Sequence, residues 1–163
     1  MLYNFKNKQS TNLEKEGKMV YDALEIAEYI IDYCNFKSVP ISNLKLQKIL
    51  YFVQAEFLVS RDKPCFKDEI QAWDFGPVIP RVYRKYKIYG SGNIPSRIQS
   101  LFCLIDKKDI ELINDMTDQC IKYTASELVE ITHHQSPWID NYALNCHHKI
   151  SNNEIKNYFK EIQ

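Results

Sequence analysis

Glycine is scarce, with four in 163 residues, and net charge is absent: 21 Lys and Arg balance 21 Asp and Glu. So little glycine excludes a collagen-like chain. The balance of 45% apolar and 26% charged residues excludes a wholly disordered one. A neutral chain argues against a protein that coats DNA or RNA, because phosphates demand a surplus of cations. No run approaches about 18 apolar residues, so no membrane-spanning helix is expected. The opening MLYNFKNKQSTNLEKEGKM also lacks the apolar core of a signal peptide. The five cysteines, Cys34, Cys65, Cys103, Cys120 and Cys146, are odd in number and form no CxxC. They read as reduced, mostly buried thiols of a cytoplasmic protein rather than a disulfide framework.

Catalytic signatures are missing as well. There is no GxSxG, no Walker motif and no dinucleotide fingerprint; Gly90-Ser91-Gly92 lacks the third glycine and follows a helix rather than a strand. No nucleophile, base and electrophile can be assembled from the sequence, so no catalytic residue and no cofactor is expected. His133-His134, Cys146 and His147-His148 invite a metal, but adjacent histidines point apart and no second Cys-x-His unit exists, so no metal site is expected.

What is present is a set of short, well-punctuated helices. Residues 1–19 are polar and aperiodic and read as a flexible arm, with one domain over 20–163. Asp22 is placed to cap a helix carrying Ala23, Ile26, Ala27, Ile30, Ile31 and Cys34 at helical spacing. Ser42 caps a second, with an apolar stripe of Leu46, Ile49, Leu50, Val53 and Phe57. Glu69–Trp73 alternates as a short strand, and its partner is sought around Cys65–Lys67 or elsewhere. Ile79-Pro80 opens a helix that runs to about Tyr89 and stops at Gly90. Asp106 caps another, Thr124–Glu127 and Ser151–Glu154 are capping boxes, and Ser136-Pro137 is an N-cap followed by a first-turn proline. The fold expected is mainly α: a compact bundle of about six to seven short helices with a small β element around residues 65–75.

Charge is segregated along the chain. Residues 75–105 contain Arg81, Arg84, Lys85, Lys87 and Arg97 without an acid, interleaved with Tyr83, Tyr86 and Tyr89; residues 106–140 are acidic. Aromatics among cations suit a single-strand-binding surface. The plainer reading is that the basic and acidic helices face each other or are solvated. Ala72–Val78 crowds Trp73 and Phe75 beside a Gly-Pro corner, as the keystone of a small core or as an anchor for a partner.

The order and separation of Leu44–Tyr51, Glu69–Pro80, Val82-Tyr83 with Tyr86 and Gly90, and Leu128–His133 ahead of Pro137-Trp138 resemble the Panacea domain family, the SocA/GepA-like, phage-associated group. The likeness runs from about residue 22 to residue 162. It implies a non-enzymatic antitoxin that binds and neutralises a co-encoded toxin, in several systems a translation-arresting toxin related to small alarmone synthetases. One branch of the family instead delivers its toxin to an ATP-dependent protease of the ClpXP type. The partner-binding candidates are Trp73, Phe75, Arg81, Tyr83 and Trp138 as anchors, with Gln47, Lys48 and His133 as polar contacts. The alternative is a nucleic-acid-binding regulator using Arg81–Lys87. These motif residues could equally hold the fold while other surfaces read the toxin.

Overall fold

The computed structural model describes residues 20–97 and 105–162. The expected arm over 1–19 and Cys103 lie outside the described residues. Among the described residues seven α-helices and a small antiparallel sheet make the fold, which is mainly helical as expected.

Helix α1 (Ala23–Phe36) starts where the Asp22 carboxylate accepts the Leu24 N–H at 2.7 Å, and its expected apolar stripe is buried. Helix α2 (Asn43–Ser60) starts at Ser42, whose hydroxyl accepts the Lys45 N–H. The remaining helices are α3 (Pro80–Tyr86), α4 (Lys107–Cys120), α5 (Ala125–His133), α6 (Ser136–Ile139) and α7 (Asn152–Glu161).

Helix α2 is the axis of the molecule, packed by α1, α3, α4, α5 and α7. The stripe Leu46, Ile49, Leu50, Val53 and Phe57 is buried, but so are Asn43, Gln47, Lys48, Tyr51, Phe52 and Gln54. A helix surrounded on every side has no solvent face, so its polar side chains look for partners inside, which the buried Tyr51 hydroxyl lacks among the described residues. Gln54 finds its own by accepting the Cys65 and Phe66 N–H groups at 2.9 and 3.1 Å and donating to the Phe66 carbonyl at 3.1 Å. Tyr51, Phe52 and Phe159 of α7 meet edge-on below it, with ring centroids 5.3 to 6.2 Å apart.

Tyrosines of α1 fasten α4. Tyr29 donates to Asn114 at 2.8 Å, and Tyr33 donates to Asp118, which also pairs with Lys37. Both capping boxes form, with Thr124 and Ser151 each exchanging hydrogen bonds with the glutamate three residues on. At α6 the expected cap is displaced by one residue: Ser136 is the first helical residue and Gln135 precedes it without a side-chain cap bond. Pro137 still occupies the first turn, where its missing N–H costs nothing.

Strand β1 (Ile70–Trp73) pairs with β2 (Gly76–Val78) in a tight hairpin and on its other edge with β5 (Lys149–Ile150), in register Gln71↔Val78 and Ile70↔Ile150. Strands β3 (Tyr142–Ala143) and β4 (Cys146–His147) form a second hairpin beside β1. Cys65–Lys67, considered as a partner for the strand, instead runs beside Tyr21: the Tyr21 N–H donates to the Cys65 carbonyl at 2.8 Å and Phe66 bridges Tyr21 in parallel. Along β1, Ile70 and Ala72 enter the core while Gln71 and Trp73 face outward.

Helix α3 continues as a 3-10 turn over Lys87–Tyr89 and stops at Gly90, whose φ is +55°. Two of its cations are paired, though not with the 106–140 acids, while Arg84 and Lys87 are exposed. Arg81 pairs with Asp22 at 2.8 Å and Asp68 at 3.2 Å, and Lys85 pairs with Glu28. Helix α3 packs on α1, and these acids come from α1, its cap and the loop before β1.

Candidate partner-binding site

The site is built from the Gly76-Pro77 corner outward. Gly76 has φ of +93°, and a Cβ there would stand 2.5 Å from Thr132 Oγ1 and 2.8 Å from Lys48 Cε, so only glycine fits. Lys48 has no accessible surface, and its ammonium donates to the Pro77 carbonyl at 2.8 Å. Burial away from water disfavours the charged form and draws its pKa from 10.5 down to about 7. Beside it, Gln47 accepts the Ile79 N–H at 2.9 Å and donates to Asn43, which donates to the Tyr83 carbonyl. Consecutive side chains of α2 thus hold the backbone of the corner on both sides of Val78.

An aromatic platform covers this corner. Trp73 stacks on His147 at 4.4 Å between centroids, meets Tyr83 edge-on at 5.0 Å and donates its indole N–H to Gln71. Trp138 lies between His133 at 4.0 Å and Tyr142 at 4.5 Å, both stacked, and donates its indole N–H to the Trp73 carbonyl at 2.9 Å. The Tyr142 hydroxyl donates to Asp74 at 3.2 Å. Burial lowers the pKa of His133, opposed by its ring N–H donating to the Asp74 backbone. The chain's two tryptophans therefore sit in one rigid cluster that ties α5, α6, β3 and β4 to the β1–β2 turn.

Large apolar side chains stand exposed at the edges of this cluster: Phe75 at 66%, Ile139 at 51% and Leu144 at 72%. Phe75 follows Asp74, Ile139 follows Trp138, and Leu144 is two residues beyond Tyr142, so each is carried by a segment that the platform binds. A neighbouring polar cleft includes Asp68, Glu69, Gln71, Arg81 and Arg84, with Arg81–Asp68 and Gln71–Glu69 contacts across it.

Of the candidate residues, the structure brings Trp73, Tyr83, His133 and Trp138 together as half-buried members or neighbours of the platform. Phe75 is exposed beside them. Arg81 is exposed but engaged with two carboxylates. Gln47 and Lys48 are buried and offer no surface to a partner; they act on the platform through the corner beneath it. Tyr142, His147, Ile139 and Leu144 belong to the same face, although the motifs did not point to them. Their available signal was the turn Leu144-Asn145 between two dipeptides. Asn145 adopts φ of +59°, a conformation asparagine tolerates better than most residues.

Among the described residues the histidines and cysteines do not gather. His147 stacks on Trp73, His133 on Trp138, and His134 is exposed with Nδ1 2.9 Å from the Glu130 carbonyl. Among the described residues no three His, Cys, Asp or Glu side chains converge as a ligand set. Cys34, Cys65 and Cys120 are buried free thiols, and burial pushes Cys34 up to about 11, the opposite of what activates a nucleophile.

A helical domain that holds a rigid aromatic platform at one hairpin, with apolar side chains left uncovered beside it, is the class that fold and site define. The family model described as "Antitoxin SocA-like, Panacea domain" matches residues 46–139, spanning α2, both strands of the corner and the Trp138 helix. The chain is also similar to Antitoxin SocA of Caulobacter vibrioides (strain NA1000 / CB15N), 32% identical over 128 residues that cover 72% of this chain and 68% of that protein. The chain belongs to the SocA-like Panacea antitoxin family. No solved structure matches it. No helix among the described residues is long and apolar enough to cross a membrane.

Proposed function

We propose that this protein is an antitoxin that works by direct binding: it docks a co-encoded toxin on the platform face and masks it stoichiometrically, without turnover, in the cytoplasm. The observation that carries this reading is the exposure of Phe75, Ile139 and Leu144 on segments held rigid by the Trp73–Trp138 cluster. Large apolar side chains on a pre-ordered scaffold lose little conformational freedom when they dock, which is how a few contacts come to dominate an interface. Family membership supplies the kind of partner. Phe75, Trp73, Trp138, Tyr83 and Arg81 form or flank the contact surface in this reading, His133 braces it, and Gln47 and Lys48 hold it from below. A translation-arresting toxin is the target type the reading favours, and delivery of the bound toxin to a ClpXP-type protease is its variant. The nucleic-acid alternative draws on the basic Arg81–Lys87 helix, where Arg81 and Lys85 are already met by Asp22, Asp68 and Glu28 and only Arg84 and Lys87 stand exposed without an ion pair among the described residues.

The test is growth rescue. Each small reading frame beside the gene is induced in a bacterial host with and without this protein, and the pair is run on size exclusion. A toxic neighbour that is silenced and co-elutes supports masking. Silencing with loss of the toxin from the lysate, reversed in a protease-deficient host, supports the adaptor variant. A toxic neighbour that is neither silenced nor bound refutes the reading.

A further inference from the structure

We infer that the platform face is built for a cationic amphipathic element, one that presents lysine or arginine around large apolar side chains. The inference rests on the antitoxin reading only for the identity of the partner; the chemistry comes from the face itself. Its apolar side chains are interleaved with exposed acids. Asp74 precedes Phe75 in the β1–β2 turn, and Asp140 follows Ile139 at the end of α6. Glu130 is exposed one turn before His133, close enough for its charge to act on that ring, which stacks on Trp138. Asp74 keeps a carboxylate oxygen beyond the one that meets Tyr142. Lys149, opposite the Gln71 that accepts the Trp73 indole N–H, and Arg84 in the neighbouring cleft are exposed cations on the β1 side, whereas the acids lie on the turn, α5 and the end of α6.

This arrangement selects among occupants. A second copy meeting the face about a two-fold axis would bring acids against acids around an apolar centre, and like charges placed together across an interface oppose association. A nucleic acid is repelled by the same carboxylates. A basic amphipathic surface satisfies both parts of the face: its apolar side chains cover Phe75, Ile139 and Leu144 while its cations reach the acidic rim. Since the whole chain is neutral, the attraction is local to this face.

Both tryptophans of the chain lie in the platform, so intrinsic fluorescence reports directly on occupancy. The full-length protein is titrated with a short helical peptide of alternating leucine and lysine faces, and separately with its leucine–glutamate counterpart. The expected result is a saturable change in tryptophan emission with the lysine peptide, none with the glutamate peptide, and an affinity lowered roughly tenfold by Glu130→Lys with Asp140→Lys. Glu111→Lys, an exposed charge reversal on α4, serves as the control and leaves the affinity unchanged. Equal response to both peptides, or an equal loss in the Glu111 variant, overturns the inference. The two readings fail separately: acid-dependent peptide binding without growth rescue leaves the face chemistry standing and removes the antitoxin reading. Growth rescue with charge-blind peptide binding does the reverse.

Discussion

Replacing Lys48 by methionine changes one buried charge and gives a pH signature that nothing on the surface imitates. In the folded protein the amine loses its proton near pH 7, against 10.5 when solvated. Between those values the unfolded chain binds one more proton than the folded one, so stability rises with pH by about 1.4 kcal/mol per unit. Below about pH 7 the amine is charged in both states and this slope vanishes. From about pH 7.5 to about pH 9 the gain amounts to roughly 2 kcal/mol. Methionine has a similar reach and no charge, so Lys48→Met lacks that slope. It forfeits the hydrogen bond to Pro77, a loss of about 1 kcal/mol, and escapes the larger cost of burying an ammonium. The variant is therefore at least as stable as the parent near pH 7.5, and its advantage shrinks by about 2 kcal/mol by pH 9. Other groups titrate over the same range. The buried thiols stay protonated in the fold and ionise on unfolding, and Glu56, pushed up to about 7 by burial, acts on the acid side. These affect both proteins alike, so urea unfolding of the pair at several pH values isolates Lys48. Parallel stability profiles would refute a desolvated amine at the corner.

Gly76→Ala forces a Cβ against Thr132 and Lys48 at a positive φ, and is expected to cost at least about 2 kcal/mol in urea unfolding. Phe75→Ala removes an exposed ring that nothing in the fold needs; the thermal midpoint should stay within about 2 °C while toxin co-elution is lost. Trp138→Phe keeps the stacking surface but deletes the bond to the Trp73 carbonyl, with an expected loss of about 1 kcal/mol and a changed emission from Trp73. Arg81→Ala breaks two exposed ion pairs and is expected to cost under about 1 kcal/mol, an effect that fades in high salt.

Local chemistry was legible along the chain. Asp22, Ser42, Asp106, Thr124 and Ser151 all cap the helices they were expected to cap, because an N-cap bonds only to the next few residues and needs no tertiary partner. Pro80 opens α3 and Gly90 closes its 3-10 extension for the same reason. Ser136 was misplaced by one position, since Gln135, with no capping bond of its own, takes the cap. The strand at Ile70–Trp73 was visible from its alternation, but neither partner was: Gly76–Val78 reads as the corner that ends the strand, and Lys149–Ile150 lies far along the chain with only two residues of pairing.

The candidate site was legible as a set of motif residues and not as an arrangement. Spacing placed Trp73 and Trp138 near motif prolines; only the fold shows one indole donating to the other's carbonyl. Gln47 and Lys48 look like surface residues on an amphipathic helix. They are buried because five helices close around α2, and they are tolerated because the Ile79 N–H and the Pro77 carbonyl lie within reach. Arg81 and Lys85 look like a basic patch until α1 supplies Asp22 and Glu28. The sequence by itself determined the helices, their ends and the rigid Gly-Pro corner, all of which depend on contacts within a turn or two. The tertiary structure alone decided which polar groups go inside, which cations are neutralised, and that Phe75, Ile139 and Leu144 stay uncovered beside one platform. Those outcomes depend on atoms brought together from distant parts of the chain, and no local pattern encodes them.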